Sequence, residues 1–196
     1  RLTPFKKFVF ESPAANIASQ IMKSSRINFL YDQMFVKEAE TDEETPWHQD
    51  QPYWAISGSQ VCSVWLSLDP VSKDSGLRFI KGSHRWEAHN PHHFSDNSPY
   101  RGTGLPELPE MEDLLTKHEI ASWDVEPGDC LVFQGMIVHG SFGNYSSTHP
   151  RRALATRWCG DDVRYFQGAG EFAIPSSDPG LNNGDFLDSE LFPRVC

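Results

Sequence analysis

His48 and Asp50 stand two residues apart, and in an extended strand residues i and i+2 point to the same face. An imidazole and a carboxylate placed that way converge on one point, as two ligands of a divalent metal do. Taken alone, the pair reads first as a surface strand carrying a His–Asp hydrogen bond. With eight His in the chain, a His-x-Asp match arises by chance about half the time. His139 changes the weighting. It ends the apolar run Met136-Ile137-Val138, where a single His is usually structural. Two His and one carboxylate with open positions opposite, however, make the facial ligand set of non-haem Fe(II) oxygenases. Zn(II) with a water takes the same three ligands, so the set leaves the metal open.

An anion site is the second candidate. In the strand-like run 151–158, Arg151, Ala153, Ala155 and Arg157 share one face. Two guanidiniums on a face of otherwise small side chains leave room for a bound carboxylate, which Arg grips through two parallel hydrogen bonds. The same Arg residues could instead pair with acidic neighbours such as Asp161 and Asp162, in a chain of net charge −10. Arg152 points the other way.

These residues need elements to position them. Short strand-like runs lie at 27–31, 33–36, 47–51, 61–68, 77–80, 130–133, 137–139 and 152–158, separated by turns such as Asp74-Ser75-Gly76 and Glu126-Pro127-Gly128-Asp129. One helix is expected over 12–23, capped by Ser12 with Pro13 at its first position. The pattern predicts a mainly β fold, a jelly roll with flanking helices. From 87 to 123 the chain is polar and broken, helical only over 110–118; this excursion is expected to act as an insertion or lid that selects substrate. His89, His92 and His93 cluster there, and an exposed polar loop describes them better than a second metal site. Tyr53 and Trp54 either line the substrate cavity or belong to the core.

The 196 residues suit a single domain, 1–196, with enough apolar content for a core. The acidic balance argues against nucleic acid or an anionic membrane as partner, and no apolar run is long enough to span a bilayer. The expected partner is a small-molecule substrate; the oligomeric state is open. Cys62, Cys130, Cys159 and Cys196 are widely spaced and read as free thiols of a reducing compartment such as the cytoplasm. The chain opens with Arg1 and lacks the apolar core of a signal peptide, so it reads as a trimmed segment.

Several motifs, in order, resemble the phytanoyl-CoA dioxygenase family. They are Trp47-His48-Gln49-Asp50, Val64-Trp65-Leu66-Ser67-Leu68-Asp69, Ser75-Gly76-Leu77-Arg78-Phe79-Ile80-Lys81-Gly82-Ser83-His84, Glu126-Pro127-Gly128-Asp129-Cys130 and His139-Gly140-Ser141. Asn144 and Pro150-Arg151-Arg152-Ala153 follow. The resemblance covers about residues 28–166. It implies a double-stranded β-helix that binds Fe(II) and uses 2-oxoglutarate and O2 as cosubstrates. Such an enzyme hydroxylates or otherwise oxidises a substrate C–H bond and releases succinate and CO2. In that reading His48, Asp50 and His139 are the metal ligands and the catalytic centre. Arg151 binds the far carboxylate of 2-oxoglutarate, with Arg157 as second choice. Ser141, Trp65 and Gln49 match positions around the cosubstrate. The resemblance also implies a further N-terminal segment not present here. Related halogenases replace the carboxylate ligand with a small residue; Asp50 therefore favours hydroxylation or a related oxidation. The competing readings are a non-catalytic jelly-roll binding module and a Zn-dependent hydrolase.

Overall fold

The computed structural model, which describes residues 3–196, buries apolar side chains of the strands between two antiparallel sheets. In chain order the elements are α1 (Thr3–Glu11), α2 (Ala14–Met22), β1 (Asn28–Lys37), β2 (Thr45–His48), β3 (Ile56–Ser57), β4 (Val61–Ser67), β5 (Leu77–Ile80), α3 (Met111–Lys117), β6 (Ile120–Ala121), β7 (Cys130–Gln134), β8 (His139–Ser141), β9 (Arg151–Cys159) and β10 (Arg164–Tyr165). One sheet has the order β1-β9-β4-β7, the other β2-β8-β5-β6, and β3 pairs with β10. Trp65, Ala153 and Ala155 of the first sheet pack on Leu77 and Phe79 of the second. The architecture is the expected jelly roll.

The outer face of the first sheet is covered by α1 and α2. Val9, Ala14, Ala15 and Ala18 pack there against Phe29, Cys62, Val64 and Trp158. The sequence suggested one helix over 12–23; there are two, broken at Ser12-Pro13. Pro13 has no N–H to continue the ladder of α1. The Ser12 hydroxyl accepts a hydrogen bond from the Ala14 N–H (3.3 Å), and Lys23 closes α2 in the left-handed region at φ 52°. The two strand runs at 27–31 and 33–36 are one strand, β1, with a register shift between Phe29 and Asp32.

A second difference concerns the site itself. The run 47–51 is not one strand. β2 ends at His48, Asp50 has helical backbone angles (φ −70°, ψ −47°), and a short 3-10 turn covers Gln51–Tyr53. Pro52 cannot donate to a sheet ladder, so the strand stops before it. All four cysteines are free thiols, as expected, and Cys62 and Cys159 are buried. Among the described residues, no helix is long and apolar enough to cross a membrane.

Candidate active site

The pairing of β2 with β8 sets His48 directly opposite His139, their ring centroids 4.3 Å apart. Gly140 lets the strands meet this closely: a Cβ there would lie 2.9 Å from the Thr45 carbonyl oxygen. His48 Nδ1 lies 2.8 Å from the Pro46 carbonyl oxygen and His139 Nδ1 lies 3.0 Å from that of Ile137. A carbonyl only accepts, so each ring carries a proton on Nδ1 and turns Nε2 inward.

Both Nε2 atoms face one oxygen of Asp50. Oδ1 lies 3.4 Å from His48 Nε2 and 3.8 Å from His139 Nε2. The other oxygen, Oδ2, accepts a hydrogen bond from the Ser63 hydroxyl (2.9 Å) and faces Arg157 Nε at 3.9 Å. The strand argument for His48 and Asp50 thus reached the right convergence by the wrong geometry, since a turn swings Asp50 inward. The ligand atoms of His48, Asp50 and His139 lie within 4.8 Å of one another, and no other such group occurs among the described residues. Burial alone would raise the Asp50 carboxyl, but His139, His48 and Arg157 outweigh it and hold it well below the usual carboxylate range. Burial, reinforced by His48, pushes His139 down to about 4. Two imidazole nitrogens and a carboxylate oxygen thus converge on one point. That donor set fits a divalent metal, whose ligands must be deprotonated.

Beyond Ser141 lies a cation. The buried guanidinium of Arg151 donates to the Ser141 hydroxyl (3.1 Å), to the Phe142 carbonyl (3.4 Å) and to the Ser75 carbonyl. The Ser141 hydroxyl in turn donates to Thr45 Oγ1 (3.0 Å). No carboxylate among the described residues pairs with Arg151. Asp161 instead accepts from Ser25, and Asp162 from Ser59 and Gln60. Arg152 is the exposed arginine of the run and pairs with Asp69.

One cavity of about 570 Å³ brings these groups together. His48, Asp50, His139, Ser141, Trp65, Arg151 and Arg157 all line it. Arg157 is placed beside Asp50 and over the Tyr31 ring (4.6 Å), whereas Arg151 is the one beside Ser141. Gln49 is turned away, contrary to its expected place at the cosubstrate. Its amide donates to the Glu87 and Met136 carbonyls (3.1 Å each) and accepts from the His89 N–H (2.9 Å), which ties the ligand turn to two other loops.

The rest of the cavity is aromatic. Tyr31, Tyr53, Trp54, Phe94 and Tyr100 line it. Tyr53 and Trp54 are both cavity wall and core. Phe94 comes from the 87–123 excursion and stands edge-on to His48 (4.9 Å) and stacked on Tyr53 (5.7 Å). The excursion's histidines form no metal cluster: His92 is tied to Glu107 and His93 lies 3.5 Å from Glu171. Sequence reasoning missed Thr45, Ser63 and Lys37. Ser63 was legible, because it shares a strand face with Trp65; Thr45 and Lys37 gain meaning only from the pairing of strands.

Comparison with known proteins gives a consistent result. The sequence model of the phytanoyl-CoA dioxygenase family matches residues 1–153. The multifunctional dioxygenase prhA of Penicillium brasilianum is 26% identical over 179 residues, which is 79% of this chain and 54% of that protein. The chain therefore spans about half the length of this curated relative. Among solved structures, the non-haem alpha ketoglutarate dependent carbocyclase SnoK superposes with a TM-score of 0.75 at 18% identity, over 99% of this chain and 72% of that one. The epimerase SnoN, solved with Fe3+, alpha ketoglutarate and nogalamycin RO, gives a TM-score of 0.71 at 18% identity, over 98% and 73%.

Proposed function

The chain belongs to the phytanoyl-CoA dioxygenase family, and from that premise we propose that it is a non-haem Fe(II)- and 2-oxoglutarate-dependent dioxygenase. One observation carries the reading. A three-ligand metal set and a buried arginine with no carboxylate partner line the same cavity, bridged by Ser141.

His48, Asp50 and His139 would hold the metal, and the Nδ1 hydrogen bonds to Pro46 and Ile137 fix the orientation of both rings. Ser63 and Arg157 engage one Asp50 oxygen and leave the other for the metal. Arg151 binds the far carboxylate of 2-oxoglutarate and, with Ser141 and Trp65 at its side, orients the cosubstrate. When bound, Fe(II) with 2-oxoglutarate and O2 supplies an oxidative decarboxylation that yields succinate and CO2 and oxidises a substrate C–H bond. The aromatic wall takes a small organic substrate with substantial apolar surface and shields the centre from bulk water. The 87–123 excursion, through Phe94, contributes to substrate selection.

The test is turnover of 2-oxoglutarate. Protein loaded with Fe(II) should release succinate and CO2 in the presence of O2, more rapidly with a substrate that fits, and chelation of the metal should stop it. Activity that persists without O2 and ignores 2-oxoglutarate would point to the hydrolase instead.

A further inference from the structure

Two cations, not one, occupy the cosubstrate end of the cavity. Lys37 ends β1 and is the register partner of Arg151 at the start of β9. Like charges directly opposite on neighbouring strands destabilise a sheet unless something compensates them. Both side chains line the cavity. They are close enough to share an acceptor: Lys37 Nζ donates to the Phe142 carbonyl (2.9 Å), which also accepts from Arg151 Nη1 (3.4 Å). The second Lys37 bond also goes to a backbone carbonyl, that of Glu43 (2.5 Å). Among the described residues, neither cation has a carboxylate oxygen within ion-pair distance. The nearby Glu44 is engaged by Arg78 (3.0 Å). Two neighbouring cations that share neutral acceptors, with Glu43 and Glu44 acting on Lys37 only from beyond ion-pair distance, form an anion cradle without a directly bound carboxylate.

We propose that Lys37 is a positioning residue for the cosubstrate, which completes with Arg151 a two-cation site for the distal carboxylate of a dicarboxylic 2-oxo acid. The inference rests on the Fe(II) and 2-oxoglutarate reading of the site. Burial, with Arg151 second, lowers the Lys37 ammonium to about 8, against the opposing pull of Glu44 and Glu43. The carbonyl bonds to Glu43 and Phe142 offer a competing role, a purely structural tie between loops. The two roles differ in what they recognise. A structural tie is indifferent to the far end of the 2-oxo acid, whereas a carboxylate anchor is not.

The experiment measures calorimetric affinities of the Fe(II)-loaded protein, without O2, for 2-oxoglutarate and for 2-oxopentanoate, in which a methyl group replaces the distal carboxylate. Wild type, Lys37→Met and Lys37→Arg are compared. Lys37→Met is expected to weaken 2-oxoglutarate about tenfold or more and to leave 2-oxopentanoate unchanged, with Lys37→Arg restoring most of the preference. An unchanged 2-oxoglutarate affinity in Lys37→Met, or an equal loss for both acids, overturns the assignment. Failure of the wild type to bind 2-oxoglutarate at all overturns the underlying reading instead, so the two failures are distinguishable.

Discussion

His48 and His139 are cross-strand partners, and their inward Nε2 atoms lie 3.4 and 3.8 Å from the same Asp50 oxygen. The convergence of these three side chains is therefore a property of strand register. A shift of one residue would turn a histidine to the opposite face of its sheet.

Gly140 is the test of that register. Alanine there would bring a Cβ within 2.9 Å of the Thr45 carbonyl and 3.3 Å of the Trp47 ring. Gly140→Ala is expected to lower stability by about 1–3 kcal/mol and to weaken metal binding as β2 moves off β8. Thermal melts of the apo and metal-loaded forms measure both. A variant with wild-type stability and affinity would show that the close approach is not needed.

Ser63 lies behind Asp50, one of the three proposed metal ligands. Its hydroxyl is the direct hydrogen-bond donor to Asp50 Oδ2. Ser63→Ala is expected to weaken the metal about 10- to 100-fold while the fold persists, because partners that orient ligands commonly matter by that amount. Competition with a chromogenic chelator reads the change. An unaltered metal affinity would assign the orientation of Asp50 to Arg157.

How much of this was open to the sequence depends on what each residue's role rests on. His48, Asp50, His139, Arg151 and the shared face of Arg151 and Arg157 follow from residue type, spacing and motif order. The jelly roll follows from short strands and regular turns. The Asp50 turn was not legible as such, because the convergence expected of a strand is produced by a 3-10 turn beginning before Pro52. Gln49 was misplaced because its neighbours' importance says nothing about which way its own side chain points. Lys37 could not be found at all, since its meaning comes from register with a residue more than a hundred positions away.

Lys37 also makes the protein's stability depend on pH. Its folded value of about 8 lies below the ordinary 10.5. Between these values the unfolded chain binds more protons, so stability rises with pH there. Below about 8 the burial penalty is present in full. Lys37→Met removes the penalty, and its apo form is expected to gain stability over wild type near pH 7, the gain shrinking as pH rises toward 10.5. Denaturant titrations of the pair at several pH values measure this. A constant difference would contradict the lowered value.

Phe94 tests the role of the 87–123 excursion. Its ring stands edge-on to His48 at 4.9 Å and stacks on Tyr53 at 5.7 Å, with about half of the residue exposed. Phe94→Ala is expected to keep metal and cosubstrate affinity within about twofold and to change the relative rates of competing substrates several-fold. Unchanged substrate preference would remove the excursion from substrate selection.

In the proposed enzyme Fe(II) and 2-oxoglutarate bind together in the cavity of His48, Asp50, His139 and Arg151. The most direct measurement is the weak visible charge-transfer band of Fe(II) chelated by 2-oxoglutarate, recorded without O2 in wild type and in His48→Ala. A band in wild type that is lost in the folded variant is the expected result. No band in folded wild type, or an equal band in both, would contradict it.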